Sequence, residues 1–298
     1  SLFARNSEHE AGLKPTDETV LTKIFSILKS ISNVNYTYYK QTTILRRIER
    51  RMVVTHKENL EQYVDYLAMN PEEAKTLSRE LLIGVTSFFR DPEYFAVLKE
   101  RTIAAILTKA QAHPEATIRV WVPGCSTGEE AYSVAILFLE AMEESGLRHD
   151  VKIFATDLDT ESIATASRGV YGENIAEDVS ISRLSRFFTK KNSKYTVSHD
   201  LRKLIIFSPH NVFQDPPFGR LDLISCRNLL IYFQPILQKD LFGIFHMALK
   251  DGGFLFLGKS EAINNTYDEV FMPICAKEKI FVHNAEGKAP LKSSIGYS

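Results

Sequence analysis

Two short segments contain residues whose types and spacing suit the binding of a nucleoside-containing ligand. The first, residues 119–130, reads Arg-Val-Trp-Val-Pro-Gly-Cys-Ser-Thr-Gly-Glu-Glu and places a predicted strand, a glycine turn and a helix start in order. Gly124 and Gly128 let the backbone of that turn bend sharply and approach a ligand closely. The second segment ends a predicted strand at Asp157, where a carboxylate can accept hydrogen bonds from ribose hydroxyls.

The acidic pair Glu129-Glu130 at the helix start narrows the class of ligand. The turn is not G-x-G-x-x-G and no Gly-Lys-Ser/Thr follows, so the dinucleotide and triphosphate fingerprints are both missing. Two carboxylates repel phosphate but suit a cation. An adenosyl sulfonium compound, with its ribose, positive sulfur and α-amino group, fits these features. An ordinary strand–turn–helix with a solvated acid fits the turn by itself equally well.

The same turn also matches the G-x-S-x-G pattern of serine hydrolases. A hydrolase would use Ser126 as its nucleophile, an acid such as Asp222, and either His246 or His283 as the base. However, this turn follows the first predicted strand of the sheet, whereas the hydrolase turn normally follows several strands. No His-Gly-Gly segment precedes it either. The hydrolase is therefore the less favoured alternative.

The elements that must position these residues change in type near residue 115. Before it, apolar residues recur at three- and four-residue steps, which is typical of amphipathic helices. Such helices are predicted over 20–31, 44–52, 60–67 and 77–82, followed by one that starts at Pro92 and ends near His113. After Pro114, short apolar runs alternate with amphipathic segments, which predicts a doubly wound, mostly parallel α/β sheet.

The predicted sheet has five strands, at 118–122, 151–155, 204–208, 221–226 and 253–257. The helices predicted between them cover 129–145, 160–167 and 235–250. Residues 171–203 interrupt this alternation: they are polar, and Tyr195–Val197 resembles a short exposed strand. We interpret them as a small insertion. The segment 285–298 is rich in Lys, Ser and Gly, and a flexible tail is expected there.

Composition excludes several classes of protein. The 298 residues are 44% hydrophobic and 24% charged with a net charge of −1, which excludes disorder for most of the chain and a basic nucleic-acid coat. Cys125, Cys226 and Cys275 show no C-x-x-C spacing, so neither a disulfide scaffold nor a zinc site is expected. Apolar runs such as Leu229–Phe233 are far too short to span a membrane. The first fifteen residues are polar and contain no secretory signal, so a cytoplasmic protein is expected.

Three further motifs, with the glycine turn and Ala-Thr-Asp157, carry a resemblance to a known family. They are Val-Thr-Ser-Phe-Phe-Arg-Asp-Pro at 85–92, Phe-Ser-Pro-His-Asn-Val at 207–212 and Cys-Arg-Asn-Leu-Leu-Ile-Tyr-Phe at 226–233. This set and its order, over roughly residues 15 to 284, closely resemble the CheR family of chemotaxis receptor methyltransferases. The resemblance implies an N-terminal helical domain (15–83), a linker and connecting helix (84–114), and a methyltransferase α/β domain (115–284) that carries a small β-subdomain (171–203).

The resemblance also implies an activity and its partners. The family transfers a methyl group from S-adenosyl-L-methionine to glutamate side chains of chemoreceptors. The partners expected are therefore the cytoplasmic helices of chemoreceptors, with no nucleic acid, no membrane insertion and no metal ion. A monomer is expected. A non-catalytic module that binds an adenosyl ligand or docks on a receptor is the other alternative.

Site residues can be carried over by position. The resemblance implies that the cofactor is bound by Thr86, Arg90, Gly124, Glu130 (rather than Glu129), Asp157, Asn211, Val212, Arg227 and Asn228. In that scheme Asp157 holds the ribose, Asn211 and Val212 flank the adenine, and Glu130 lies near the methionyl amino group. Gly84 departs from the enterobacterial members, which carry Asn two residues before the Thr, so the cofactor contact of that Asn is not carried over to this sequence.

Methylation of a glutamate makes modest chemical demands. The carboxylate is already ionised at pH 7, with a reference pKa of ~4.3, and needs no general base. Its charge cancels that of the sulfonium in the transition state, so a dry pocket and in-line placement should suffice. Arg90 could grip the carboxylate with two hydrogen bonds, and the Tyr232 hydroxyl could orient it. Alternatively, Arg90 only pairs with Asp91 or Glu93, and Tyr232 is only a core aromatic residue.

A basic stripe lies on one predicted helix of the N-terminal region. Residues 40–57 contain six Lys or Arg and a single acid. At ~100° per residue, four arginines fall within an arc of ~140°, namely Arg46, Arg47, Arg50 and Arg51. A solvated helix face or a nucleic-acid contact would produce the same pattern. The resemblance supports docking of acidic receptor helices, because guanidinium groups suit carboxylate partners.

The insertion departs from some members of the family. Those members bind a C-terminal tether peptide of the receptor through a glycine-containing loop of the β-subdomain. The corresponding stretch here, Phe187–Tyr195, contains no glycine. We therefore expect methylation that is independent of a receptor tether.

Overall fold

The computed structural model describes residues 15–32, 34–82 and 84–289. The chain divides into two compact units, a helical unit that ends at residue 83 and an α/β unit that begins at Gly84. Most of the tail expected at 285–298, from residue 290 onward, lies outside the described residues. No helix in the described ranges is long and apolar enough to cross a membrane.

The helical unit is built from amphipathic helices whose apolar faces meet in one core. The helices are α1 (Pro15–Ser32), α2 (Gln41–Val54), α3 (Leu60–Met69) and α4 (Pro71–Leu82), with a short 3-10 helix at Tyr36–Tyr38. The residues at three- and four-residue spacing are the buried ones: Ile24 and Leu28 on α1, and Ile44 and Ile48 on α2, are at most 1% exposed. The helical periodicity of this region is therefore confirmed by its burial.

The α/β unit contains a seven-stranded sheet. Its strands are β1 (Ile118–Pro123), β2 (Val151–Asp157), β6 (Ile205–Pro209), β7 (Leu221–Cys226), β8 (Leu249–Leu257), β9 (Phe271–Cys275) and β10 (Ile280–His283). Their order is β6-β2-β1-β7-β8-β10-β9. The pairs from β6 to β8 are parallel, while β10 runs antiparallel to both of its neighbours. The mostly parallel sheet is confirmed.

The last two strands were missed by the sequence analysis. The β9 run Phe-Met-Pro-Ile-Cys contains Pro273, which argues against a central strand. The structure places β9 at the edge of the sheet, where a residue without an N–H is tolerated.

Helices precede the first strand of the sheet and connect the later strands. They are α5 (Pro92–Val97), a π-helical turn (Leu98–Ile103), α6 (Ala104–Ala110), α7 (Glu129–Ser145), α8 (Thr160–Arg168) and α11 (Pro235–Ala248). Trp121 on β1, Phe138 on α7 and Phe256 on β8 are fully buried. The chain starts the sheet in its middle at β1, proceeds outward to β6, and then returns to place β7 on the other side of β1. The crevice between the carboxyl ends of β1 and β7 is the place where open α/β sheets bind ligands.

The insertion forms a small antiparallel sheet, as the fold prediction requires. Its strands are β3 (Val170–Gly172), β4 (Phe188–Lys191) and β5 (Lys194–Val197), in the order β3-β5-β4. Two short helices, α9 (Ile181–Phe187) and α10 (His199–Arg202), flank them. Strand β5 coincides with the exposed strand predicted at Tyr195–Val197, and β3 and β4 add the partners that such a strand needs.

Candidate functional site

The turn between β1 and α7 has the backbone conformation that its glycines permit. Gly124, Ser126 and Gly128 have φ values of 67°, 49° and 96°, in the left-handed region that favours glycine. A Cβ atom on Gly128 would lie 2.8 Å from the Cβ of Ala166 on α8. The turn therefore requires glycine at 128 both for its φ angle and for the close approach of α8.

Asp157 fastens this turn to the end of β2. Its Oδ2 accepts a hydrogen bond from the Ser126 N–H at 2.8 Å, and its Oδ1 accepts one from the Asp159 N–H at 2.9 Å. Burial raises the pKa of Asp157, while these two N–H groups act in the opposite direction. Each carboxylate oxygen can accept one more hydrogen bond, so the group can still bind a pair of hydroxyls.

Glu130 is the first-turn residue of α7 that faces the crevice. Ser225, on β7, donates a hydrogen bond from its Oγ to Glu130 Oε1 at 2.7 Å, and Nη1 of Arg227 lies 3.8 Å from Oε2. Burial raises the pKa of Glu130 to about 7, against the opposing charges of Arg227 and Arg90. A carboxyl of this kind gains its charge most readily when a cationic ligand arrives.

Glu129 is held differently. Its two carboxylate oxygens accept hydrogen bonds from the Thr127 Oγ1 at 2.9 and 2.7 Å, within the turn itself. This contact supports the choice of Glu130 over Glu129 as the residue that faces a ligand.

Arg227, directly after β7, has a fully buried side chain. Its Nη2 donates to Asp91 Oδ2 at 2.8 Å, and its guanidinium lies against the rings of Phe95 and Phe256, 4.9 and 5.0 Å from their centroids. Its Nε and Nη1 are buried without a hydrogen-bond partner among the described residues. Buried donors of this kind fit a ligand with an anionic group.

The segment 84–91 brings Arg90 to the same crevice. The Phe89 N–H donates to the Ser133 Oγ at 3.0 Å, which attaches the segment to α7. Arg90 Nη1 donates to the Val85 carbonyl oxygen at 2.7 Å, and its charge partly offsets the rise that burial causes in the pKa of Glu130. The alternative in which Arg90 pairs with Asp91 or Glu93 is not supported, because no ion pair joins Arg90 to either carboxylate among the described residues, and Asp91 accepts from Arg227. Thr86 lies half-buried in this segment.

The residues expected to flank an adenine ring lie beside Asp157. The His210 N–H donates to the Asp157 carbonyl oxygen at 2.9 Å, which extends the β2–β6 pairing into the following turn. In that turn Asn211 Oδ1 accepts from the Phe213 N–H at 3.0 Å, and Val212 is 9% exposed. Asp157, Asn211 and Val212 are thereby brought to one edge of the sheet.

The turn after β7 contains Asn228 and Tyr232 and is held by a residue that the sequence analysis missed. Asn228 has a φ of 59°, and Tyr232 lies half-buried at the end of a 3-10 helix, Leu230–Tyr232. The carboxylate of Glu261 accepts hydrogen bonds from the N–H groups of Asn228 and Leu230, at 2.9 and 2.8 Å. The only signal for Glu261 in the sequence was its place just after the predicted strand 253–257.

Two family models match this chain and together cover most of it. The model of the CheR methyltransferase SAM-binding domain matches residues 84–280, and that of the CheR methyltransferase all-alpha domain matches residues 20–82. This chain belongs to the CheR methyltransferase family. The cofactor of this CheR chain is S-adenosyl-L-methionine, as the sequence analysis predicted.

Individual proteins are similar to this chain over much of its length. An uncharacterized 104.1 kDa protein of Rhodobacter capsulatus is 44% identical over 280 residues, which is 94% of this chain but 29% of that longer protein. A chemotaxis protein methyltransferase of Borreliella burgdorferi is 28% identical over 87% of this chain and 93% of its own length. Chemotaxis protein methyltransferase 1 of Pseudomonas aeruginosa is 33% identical over 66% of this chain and 72% of its own length.

The crevice of this CheR chain fits S-adenosyl-L-methionine by its donor and acceptor groups. Nε and Nη1 of Arg227, which donate no hydrogen bond to another described residue, could serve an α-carboxylate, and the Glu130 carboxylate could serve an α-ammonium group. Asp157 offers acceptors for the ribose hydroxyls. These features complement three separate parts of the cofactor.

The residues of the hydrolase alternative do not come together in this CheR chain. Asp222 accepts from the Arg119 N–H and from Lys250 Nζ near the start of β7, the end opposite to the turn with Ser126. His246 and His283 contact each other, with Nδ1 of the first 2.8 Å from Nε2 of the second. The geometry therefore does not support a Ser–His–acid triad.

One arginine of the basic stripe has a structural role, which corrects the sequence analysis. Arg51 donates two hydrogen bonds to Glu73, at 2.9 and 2.6 Å, and one to Glu80 at 3.0 Å. Its side chain is 14% exposed, because α4 covers this edge of α2. Arg51 is therefore not available to a receptor. Arg46 and Arg50 are exposed and Arg47 is half-buried, without an ion pair to another described residue.

Proposed function

We propose that this chain transfers a methyl group from S-adenosyl-L-methionine to glutamate side chains on the cytoplasmic helices of chemoreceptors, and that it acts in the cytoplasm. The observation that carries the proposal is the pairing of Arg227 with Glu130 at the carboxyl ends of β1 and β7, where Nη1 of Arg227 lies 3.8 Å from Glu130 Oε2. The family assignment and the names of the relatives, which include chemotaxis protein methyltransferases, support the same activity.

We assign each part of the cofactor to residues of the crevice by charge and position. S-adenosyl-L-methionine, when bound, supplies a methyl group that is activated by the positive sulfur. Glu130 and Arg227 hold the charged ends of the methionyl group, Asp157 holds the ribose, and Asn211 and Val212 flank the adenine. Gly124 lets the backbone approach the cofactor, while Thr86 and Asn228 border it.

Arg90 is the residue that we assign to the incoming glutamate. Only its Nη1 is used by the Val85 carbonyl oxygen, so the remaining N–H groups can grip a carboxylate with two hydrogen bonds. The substrate is ionised at neutral pH, so Arg90 needs to hold it and no residue needs to remove a proton. The Tyr232 hydroxyl orients the attacking oxygen, and we assign both residues as catalytic.

The receptor is held by the exposed part of the basic stripe. Arg46 and Arg50 lie one turn apart on α2, and Val53, 75% exposed, continues the same face. Arg47 borders it. A face with both guanidinium and apolar groups suits a helix rich in glutamate that also presents apolar side chains.

Tether independence is also part of the proposal. Strands β4 and β5 pair up to Lys191 and Lys194, so only Asn192 and Ser193 connect them. This two-residue connection is shorter than the glycine-containing loop that binds the tether in other members of the family. We propose that the helices of the receptor, and not a C-terminal peptide, provide the binding energy.

The test is methyl transfer from radiolabelled S-adenosyl-L-methionine to purified cytoplasmic fragments of chemoreceptors, with and without a C-terminal recognition pentapeptide. We expect base-labile label in the receptor at similar rates for both fragments. A marked gain in affinity from the peptide would contradict tether independence alone. Cofactor binding by calorimetry without any transfer would contradict the activity and favour the non-catalytic module.

A further inference from the structure

We propose that Glu261 is a positioning residue for methyl transfer, which fixes the turn containing Asn228 and Tyr232 against the end of β8. The inference rests on the proposed function, since it concerns the same site. Glu261 follows β8 by four residues and contributes no group that we assign to the cofactor or to the receptor glutamate. Its proposed effect is exerted through the backbone of the neighbouring turn.

The carboxylate of Glu261 joins two segments that are distant in the chain. Oε2 accepts from the Asn228 N–H at 2.9 Å and from the Gly258 N–H at 2.7 Å, while Oε1 accepts from the Leu230 N–H at 2.8 Å. The residue is 3% exposed, so water does not compete for these hydrogen bonds. One side chain thus satisfies three backbone donors at the carboxyl edge of the sheet.

The turn that Glu261 holds has little stability of its own. Asn228 has a φ of 59°, a left-handed conformation that Asn adopts at a lower cost in free energy than most residues but less freely than glycine. The 3-10 helix Leu230–Tyr232 that follows has only three residues. Because a helix so short gains little stability from its own hydrogen bonds, the placement of Tyr232 depends on outside anchors: Glu261 accepts from the Leu230 N–H, and Gln238 Nε2 donates to the carbonyl oxygens of Leu230 and Phe233.

Gly258 shows how closely the two segments approach. A Cβ atom at this position would lie 2.8 Å from Glu261 Oε2 and 2.9 Å from the Asn228 backbone nitrogen. Any larger residue would push the carboxylate and the turn apart. Substitution at Gly258 therefore offers a second way to disturb the same contact without altering Glu261.

The decisive experiment compares Glu261→Gln and Gly258→Ala with wild type by hydrogen exchange of individual amides. Glutamine has one acceptor oxygen and one NH₂ group, so it cannot accept on both sides. In Glu261→Gln we expect exchange to rise by about tenfold or more either at Leu230 or at both Asn228 and Gly258, according to which side the NH₂ group faces, and in Gly258→Ala we expect the same rise at Asn228 and Leu230. Amides of the central strand β1 should retain wild-type exchange. Unchanged exchange at the three amides, or an equal rise throughout the unit, would overturn the proposal.

Turnover supplies the functional readout. Glu261→Gln should lower kcat by about tenfold or more at saturating cofactor, since a misplaced Tyr232 affects the transferring methyl, while the receptor KM stays within about threefold. Glu269→Gln removes the same charge from an exposed position and should leave exchange and kcat unchanged. Local exchange that rises with unchanged kcat would overturn the positioning role. If wild type itself transfers no methyl group, the proposed function fails, and the exchange data still decide the structural contact.

Discussion

Nη2 of Arg227 donates to Oδ2 of Asp91 across 2.8 Å, and this ion pair joins the segment 84–91 to the turn after β7. Asp91 has a φ of 59° and precedes α5, so its carboxylate points back from the helix start towards the crevice. This contact therefore ties the segment that contains Arg90 to the turn that contains Tyr232. Arg227, which the resemblance placed at the border of the cofactor, also determines how the linker segment is attached.

Loss of the Asp91 carboxylate should destabilise the α/β unit. In Asp91→Ala the buried guanidinium of Arg227 loses its hydrogen-bonded partner, which costs ~3–5 kcal/mol for a fully buried pair. Asp91 is 26% exposed, so solvent screening reduces the expected loss to roughly 2–3 kcal/mol. Urea unfolding of the whole chain measures this loss. Asp268→Ala, at an exposed position, is the control and should change little. Equal stability of the two variants would contradict a stabilising role for the Asp91–Arg227 pair.

The affinity for S-adenosylhomocysteine should rise with pH because of Glu130. With its pKa raised to about 7, Glu130 is mostly neutral at pH 6 and mostly ionised at pH 8. A cationic α-amino group prefers the ionised form, so the affinity should increase by about tenfold over this interval. Calorimetry at several pH values measures it. Glu130→Gln should bind more weakly and lose most of the pH dependence, and a slope that survives the substitution would assign it to another group.

The raised pKa of Glu130 should make the ligand-free protein less stable as the pH rises, whereas it makes ligand binding tighter. A folded-state pKa above the unfolded value means that the folded protein binds more protons than the unfolded chain between about pH 4.5 and 7. The contribution of Glu130 to stability is therefore present at low pH and is lost as the pH rises through this range. Chemical unfolding at pH 5 and pH 7 should show this loss in wild type and not in Glu130→Gln.

Arg90 and Tyr232 should affect turnover more than cofactor binding. Their proposed contacts are to the receptor glutamate, so Arg90→Ala and Tyr232→Phe should lower kcat/KM for receptor by about tenfold or more. The dissociation constant for S-adenosylhomocysteine should stay within about threefold of wild type. Steady-state methylation and calorimetry on the same preparations provide the comparison. Weak cofactor binding with normal turnover at saturation would reverse the assignment.

Arg46 and Arg50 of the basic stripe should affect receptor binding and not stability. Each exposed contact of Arg46 or Arg50 with a receptor carboxylate is worth on the order of 0–1 kcal/mol, but together they speed encounter and fix orientation. The double reversal Arg46→Glu/Arg50→Glu should raise the receptor KM at least about fivefold and leave stability unchanged. Wild-type activity at low receptor concentration should fall with added salt. Lys23→Glu, on α1, is the control. An unchanged receptor KM would show that the stripe is only a solvated helix face and does not bind the receptor.

Arg51→Ala should lower the stability of the helical unit and leave receptor binding nearly unchanged. Its guanidinium neutralises Glu73 and Glu80, and Glu73, which also accepts from the Tyr63 hydroxyl at 2.8 Å, would be left buried without a cation. Removal of one partner of such a cluster costs about 3 kcal/mol or more. Denaturant unfolding should therefore detect Arg51→Ala, whereas the receptor KM of the remaining folded protein should change little.

The amino-acid sequence by itself determined the local features of this protein. Glycine is needed at 124 and 128 because few other residues adopt those φ angles, so the turn could be recognised from residue types alone. Acids and amides that directly follow parallel strands, such as Asp157 and Asn211, must meet at one sheet edge. Helical periodicity likewise identified the buried faces of α1 and α2, because burial follows the 3.6-residue repeat.

Only the tertiary structure decided which of these side chains are free to act. Arg46, Arg50 and Arg51 look alike in the sequence, and it is the packing of α4 that places Glu73 and Glu80 beside Arg51 alone. In the same way Asp91 pairs with Arg227, 136 residues later, instead of with its neighbour Arg90. Such partners come from other elements, and the period of one helix contains no information about what packs against it. Residue type and spacing therefore identified the chemistry, whereas contacts between distant segments determined which residues remain available for it.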